Sequence, residues 1–177
     1  MLTYDAGRGA MGQSDNAYTV SELARYVTTI ANSGNCYDLT LIEKTTDSNG
    51  NTVTEHEPQL HSQVNMPQED WDAIHEGMRQ VVQNSQAFDD YSGVEVSGKT
   101  GTAQEVVTKP NHALFVGYAP SSDPTMALAV RVANGYSSRN TAAIAKDVVN
   151  YMFGQKDLSE ITPGHAIQVA AGNTRND

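Results

Sequence analysis

Apolar residues recur at helical spacing in three stretches of the chain. Thr19 followed by Glu22 forms a capping box, which predicts a helix that begins there and ends near Gly34. Pro67 fits the first position of a second helix, and residues 141–153 predict a third. The apolar faces of the three helices consist of Leu23, Tyr26, Val27 and Ile30; of Trp71, Ile74, Met78, Val81 and Val82; and of Ile144, Val148 and Met152. We expect the stripe of the second helix to be core.

Strand patterns fill the stretches between these helices. Residues 39–46 predict a strand, residues 47–50 a turn, and residues 52–55 an exposed returning strand, whereas residues 56–66 and 83–93 predict irregular structure. Residues 113–118 and 125–133 are nearly continuous apolar runs, and their short connection predicts an antiparallel hairpin covered on both faces. The pattern as a whole predicts an α/β class of mixed α+β type, with an antiparallel sheet flanked by helices.

One predicted strand, residues 94–107, contains residues that do not favour strand stability. Valines stand at both ends, but glycines, Lys99, Thr100 and Thr102 lie between them. A glycine inside a strand marks a bulge or the close approach of another backbone. Such a strand could pair with an extended peptide, and the cation and hydroxyls could hold a carboxylate at the end of that peptide. The stretch therefore predicts a binding site.

Charge and composition exclude several classes of function. The net charge of −10 argues against nucleic acid or an anionic membrane as a partner. Cys36 is the only cysteine, and the five histidines lack the close pairing of metal ligands, so we expect neither a metal nor a cofactor. No apolar run approaches the ~20 residues that span a bilayer, and the N-terminus lacks the regions of a signal peptide.

Lys99-Thr100-Gly101 is one of three motifs, with S-x-x-K and S-D-N, that occur together in penicillin-binding proteins and class A β-lactamases. Its surroundings, 98–104 followed by His-Ala-Leu-Phe-Val-Gly-Tyr-Ala-Pro at 112–120, resemble the C-terminal part of a class B penicillin-binding protein. Gly12-Gln13, Thr19, Leu23-Ala24 and residues 30–34 match the segment that precedes this strand in the same family. The resemblance covers about residues 4–153. We therefore expect residues 1–154 to be part of a transpeptidase domain and residues 155–177 to be a loose tail.

The resemblance implies a role for each residue of the motif. Lys99 would supply positive potential and orient the serine of the S-x-N motif. Thr100 and Thr102 would bind the carboxylate of a D-alanyl-D-alanine stem peptide or of a β-lactam, and the backbone N–H of Thr102 would form half of the oxyanion hole. Gly101 would let the substrate backbone approach. We thus expect Lys99 and Thr102 to be catalytic, and Thr100, Gly101 and Thr102 to bind substrate. His112, which begins the next strand, is a further candidate for a place near the site.

The nucleophile motif is missing, because no serine in this chain has a lysine three positions later. Ser14-Asp15-Asn16 spells the S-D-N motif, but we interpret it as a chance match, since the residues just after it resemble the segment downstream of the true motif. Losing one oxyanion donor costs about 10²–10³ in rate, whereas losing a serine nucleophile costs on the order of 10⁶. We therefore expect no independent catalysis from this chain.

The same resemblance predicts partners and location. It implies a membrane-anchored parent that cross-links peptidoglycan outside the cytoplasmic membrane, although this chain shows no anchor or signal. The expected ligands are stem peptides and β-lactams, and a homodimer could form through the exposed sheet edge at residues 125–133. A non-catalytic binding module of the same fold and a β-lactamase fragment are the alternatives. The chain could be a cloned subdomain, the product of a truncated gene or a proteolytic product.

Overall fold

The computed structural model describes residues 7, 9, 12, 16–105 and 107–162. Its helices are α1 (Val20–Ala31), α2 (Gln68–Gln83), α3 (Ser138–Met152) and α4 (Leu158–Ile161), with a 3₁₀ turn at Gln86–Phe88. Its strands are β1 (Asn35–Tyr37), β2 (Lys44–Thr46), β3 (Thr52–Glu55), β4 (Leu60–Gln63), β5 (Ser97–Ala103), β6 (His112–Ala119) and β7 (Met126–Val132).

The central sheet of the described residues has the order β5-β6-β7, and both pairings are antiparallel. Lys99 lies opposite Val116, and Val116 lies opposite Ala129, so the register is continuous across the three strands. Two small antiparallel ladders, β1 with β4 and β2 with β3, lie outside this sheet. The predicted hairpin of the two apolar strands is therefore confirmed.

Helices cover both faces of the central sheet. On one face, Val27 and Ile30 of α1 and Met78 of α2 pack with Tyr118 of β6. On the other face, α3 and the 3₁₀ turn pack on β6 and β7, and the largest buried groups there are Val82, Phe88, Val96, Phe115, Leu128 and Val149. The fold is a mixed α/β fold with antiparallel sheets and flanking helices, as predicted from the sequence.

The first two helices begin close to their predicted positions. The Thr19 hydroxyl accepts a hydrogen bond from the Glu22 N–H (3.2 Å), and the Thr19 N–H donates to the Glu22 carboxylate (2.7 Å), so the capping box is confirmed. Pro67 is the N-cap of α2 and not its first residue. The predicted core stripe of α2 is wrong at Ile74, which is 37% exposed. Trp71, Met78 and Val82 are buried as expected.

Helix α3 buries a different face from the one that its apolar residues mark. Ile144, Val148 and Met152 share a face as predicted, but that face is exposed. The buried side consists of small and polar residues with one valine: Ser138, Asn140, Thr141, Ala142, Ala145, Val149 and Asn150. Small side chains let a helix approach a sheet closely, and this close approach decides which face is buried here.

Short strands caused the main errors in the sequence prediction. Of the strand predicted at 39–46, only Lys44–Thr46 forms, whereas β1 and β4 arise where no strand was expected. The exposed strand at Thr52–Glu55 and the turn before it are as predicted. Every residue from 38 to 65 is exposed. A ladder that is exposed on both faces leaves no alternation of apolar and polar residues, so its sequence carries little signal.

The structure describes only the first residues of the predicted tail. Asp157 and Glu160 form a capping box there, at the start of the short helix α4. Residues 163–177, like Ser14 and Asp15 of the S-D-N match, lie outside the described residues. Within the ranges that the structure describes, none of the helices is both long and apolar enough to cross a membrane.

Candidate active-site strand

Strand β5 carries the Lys-Thr-Gly motif and is held firmly at its beginning. Ser97 and Gly98 are buried, and the Ser97 hydroxyl donates to the Ser121 hydroxyl at 2.9 Å. The Arg79 guanidinium of α2 donates to the Val96 carbonyl (3.3 Å) and lies 2.7 Å from the Glu95 carboxylate. Among the described residues, β6 is the only strand that pairs with β5. The motif therefore lies on an anchored strand with an open edge. The strand is shorter than predicted, because Val107 lies in an exposed turn and Val106 is outside the described residues.

The predicted site residues divide between the two faces of this strand. Thr100 and Thr102 lie opposite Phe115 and Ala113 and share one face with them, because side chains alternate along a strand. Lys99 and Gly101 belong to the other face. The structure thus brings the two threonines together and places the lysine on the opposite side of the same edge strand.

Lys99 is exposed, and its ammonium donates to the neighbouring Thr100 carbonyl at 2.9 Å. Within the part of the chain that the structure describes, no carboxylate lies within ion-pairing distance of this ammonium. The charge is consequently available to an anionic group that approaches the β5 edge.

The two glycines of β5 have different surroundings. A Cβ at Gly98 would meet the Phe115 ring and lie 2.9 Å from the Val116 carbonyl oxygen, so the fold itself requires glycine there. A Cβ at Gly101 would meet only Leu114, at 3.4 Å from its Cβ, which is an ordinary contact. Packing therefore does not explain Gly101, whereas the approach of a ligand backbone would explain it.

A histidine lies beside the last residue of β5. His112 lies opposite Ala103, the last residue of β5, and its Nε2 is 2.6 Å from the Glu105 carboxylate. This hydrogen bond holds the pKa of the Glu105 carboxyl below its usual value. His112 was a sequence candidate, but its second partner, the Asn134 N–H at 3.0 Å, was missed because nothing in the sequence marks a backbone donor.

The two carboxylates that flank the motif do not form a catalytic pair. Glu95 contacts Arg79, and Glu105 contacts His112. The described residues contain no cluster of three histidine, cysteine or acidic side chains that could hold a metal ion. The chemistry that this strand offers is the recognition of an anion and of an extended backbone.

Comparison with known proteins identifies the family. Residues 4–150 match the model of the penicillin binding protein transpeptidase domain. The chain belongs to this family. Penicillin-binding protein 2B of Streptococcus pneumoniae serotype 2 is 34% identical over 157 residues, which make up 80% of this chain and 23% of that protein. Penicillin-binding protein 2A of Bacillus subtilis is 30% identical over 172 residues, covering 85% of this chain and 24% of the relative.

Solved structures of penicillin-binding proteins have the same fold. The imipenem acyl-enzyme complex of penicillin-binding protein A from M. tuberculosis superposes with a TM-score of 0.75 at 28% identity, covering 83% of this chain and 33% of that one. Penicillin-binding protein 2B of Streptococcus pneumoniae strain R6 gives 0.75 at 29% identity, covering 88% of this chain and 28% of that one. The chain thus spans about a quarter of the length of the curated relatives and about a third of these structures.

Proposed function

We propose that the chain is the C-terminal part of the transpeptidase domain of a class B penicillin-binding protein, and that the complete protein is a serine D,D-transpeptidase of peptidoglycan cross-linking. One observation carries this proposal. The Lys-Thr-Gly motif lies on strand β5, with Thr100 and Thr102 on one face and, on the other, a lysine that has no ion-pair partner among the described residues. That arrangement falls within the segment that matches the family.

The stem peptide ending in D-Ala-D-Ala is the substrate that this edge fits. An extended peptide adds to β5 as a further strand, so main-chain hydrogen bonds fix its direction. Thr100 and Thr102 donate hydroxyl hydrogens to its terminal carboxylate, and Lys99 supplies positive potential. The N–H of Thr102 is directed at the oxygen that becomes negative when the scissile carbonyl is attacked. The bare backbone at Gly101 leaves room for the ligand.

A β-lactam would occupy the same edge through its own carboxylate. The M. tuberculosis relative forms acyl-enzyme complexes with imipenem and with penicillin G. In this protein the acylated serine would come from outside residues 1–177, because no S-x-x-K motif occurs within them. The complete protein would act at the outer face of the cytoplasmic membrane, where peptidoglycan is built. The isolated chain would supply one wall of the site without the nucleophile and would self-associate through its sheet edge.

The carboxylate requirement gives the sharpest test. N-acetyl-D-alanyl-D-alanine should shift the amide resonances of Thr100 and Thr102 in an NMR titration of the 177-residue chain. The matched control is the same dipeptide with its terminal carboxylate converted to an amide, which should shift them far less. Equal shifts with both ligands, or none with either, would contradict the proposal. A fluorescent penicillin should leave no covalent label on the isolated chain, and a labelled serine would show that a nucleophile is present.

A further inference from the structure

One imidazole ring joins the segment that follows β5 to two other parts of the protein. Glu105 follows β5 by two residues, and its side chain is 71% exposed. His112 is largely buried and begins the neighbouring strand. Asn134 lies in the turn between β7 and α3, where its φ of 51° is in the left-handed region. The ring of His112 bonds to both Glu105 and Asn134, so it joins three separate segments.

The hydrogen bonds fix the tautomer of this ring. The Asn134 N–H donates to Nδ1 at 3.0 Å, so Nδ1 must be an unprotonated acceptor. The single ring proton of neutral histidine is then on Nε2, which donates to the Glu105 carboxylate at 2.6 Å. Both contacts are satisfied only by the neutral Nε2–H form. A second proton would place Nδ1–H against the Asn134 N–H and would remove that contact.

The two partners of the ring differ in how firmly they are held: Asn134 lies in a hydrogen-bonded turn, and Glu105 lies in an exposed connection. The Tyr136 N–H donates to the Asn111 carbonyl at 3.2 Å, and the buried Asn140 side chain donates to the Gly135 carbonyl at 2.8 Å. Hydrogen bonds therefore hold the turn that contains Asn134 to Asn111, the residue before β6, and to α3. Glu105 lies in an exposed connection and depends on His112 for its position. The turn thus holds the ring of His112 in place, and the ring holds Glu105 at the end of β5.

We propose that His112 is a positioning residue, which in its neutral Nε2–H form holds the exit of β5 in register and thereby fixes Thr102. Thr102 lies opposite Ala113, directly beside the Ala103–His112 pair. This inference rests on the proposed function only for the role of Thr102 in binding substrate. Lys109 and Arg131 are the other charged groups whose fields reach the Glu105 carboxyl.

Two half-replacements test this link in the full 177-residue chain. In His112→Asn, the side chain can still accept a hydrogen bond from the Asn134 N–H but cannot reach Glu105. In His112→Gln, the side chain can reach Glu105 but has no acceptor in the place of Nδ1, so the bond from Asn134 is lost. Each should raise hydrogen exchange in residues 97–105 roughly tenfold, the value expected for losing one hydrogen bond of about 1.4 kcal/mol. Glu105→Ala changes only an exposed side chain, so it should fold and give the same increase. The control His56→Gln, on an exposed segment, should change nothing.

The tautomer itself can be measured in the wild type. Ring ¹⁵N shifts at neutral pH should report protonated Nε2 and bare Nδ1. A proton on Nδ1, or unchanged exchange in Glu105→Ala, would overturn the inference. Failure of the acetylated dipeptide to bind the wild type would count against the proposed function alone, because exchange is measured without ligand.

Discussion

The ring of Phe115 packs directly against the bare backbone of Gly98, across the pairing of β5 with β6. A Cβ at Gly98 would also lie 2.9 Å from the Val116 carbonyl oxygen. Because backbone cannot move as easily as the end of a long side chain, a methyl group there would force the two strands apart. Gly101, three residues along the same strand, has no such neighbour. The two glycines of β5 are therefore required for different reasons.

Alanine substitutions at these two glycines should separate stability from binding. Gly98→Ala should lower the free energy of unfolding by about 1–3 kcal/mol, as overpacking in a core does. Gly101→Ala should leave it unchanged or raise it by up to about 1 kcal/mol, because alanine restricts the unfolded chain. Urea unfolding measures both. The acetylated dipeptide should bind Gly101→Ala more weakly than the wild type. Similar losses of stability in both variants would contradict this division.

Strand β5 could be predicted as the site from the sequence because its functional residues, 99–102, are consecutive. The glycines in the strand predicted the close approach of another backbone, which the Val116 carbonyl provides at Gly98. The hairpin of β6 and β7 and the capping box of α1 were equally local, and both are confirmed. Predictions of this kind agree with the structure because each depends on residues within a few positions of one another.

The features that the sequence did not reveal depend on distant partners. Strands β1 and β4 are short and polar, and Cys36 meets Ser62 only after the whole intervening segment has folded. On α3, the apolar side of Ile144 and Val148 is exposed, because close packing on the sheet selects the small residues on the other side of the helix. The partner of His112 in the β7–α3 turn is a backbone N–H, which any residue except proline would supply.

Lys99 should matter for chemistry and not for stability. In a full-length parent protein, Lys99→Ala should slow acylation by a β-lactam, because it removes the positive potential at the β5 edge. The lysine is exposed and, among the described residues, bonds only to a neighbouring carbonyl, so its truncation should change the free energy of unfolding by less than about 0.5 kcal/mol. Stopped-flow acylation and thermal unfolding measure the two effects. Unchanged acylation would remove Lys99 from the site.

The capping box of α1 should make stability depend on pH. Two hydrogen bonds from Thr19 lower the pKa of the Glu22 carboxyl. The bond from the Thr19 backbone N–H has the larger effect, and the bond from its hydroxyl has the smaller one. A carboxyl whose pKa is lower in the folded state stabilises the protein above its unfolded pKa of roughly 4.3, and this contribution is lost as the pH falls through the folded value. The stability difference between wild type and Glu22→Ala should therefore shrink between neutral pH and about pH 3.

Thermal unfolding at several pH values, followed by circular dichroism, measures this dependence. Glu57→Ala is a suitable control, since Glu57 is exposed and lies outside every helix and strand. Thr19→Ala should cost about 1 kcal/mol at neutral pH, the usual value of an N-cap. A pH-independent difference for Glu22→Ala would show that the capping carboxylate does not stabilise α1 through its charge.

The outer edge of β7 should drive self-association of the isolated chain. Among the described residues β7 pairs only with β6, and its sequence Met-Ala-Leu-Ala-Val-Arg-Val carries a single charge. Antiparallel pairing of two copies about Ala129 would place Arg131 opposite Ala127 of the second copy, so like charges would not meet. An unprotected, apolar edge strand is a template for such pairing, and a two-fold arrangement closes it.

Helix α1 does not add its apolar face to this association. Val27 and Ile30 are buried against the sheet and α2. The β7 edge must therefore act alone or together with the exposed face of α3. Sedimentation equilibrium at micromolar concentration should show a dimer for the wild type. Ala129→Lys, which places a charge at the centre of the edge, should shift it towards monomer, whereas Val53→Lys on the exposed β3 should not. A wild type that sediments as a monomer would show that another part of the chain covers the β7 edge.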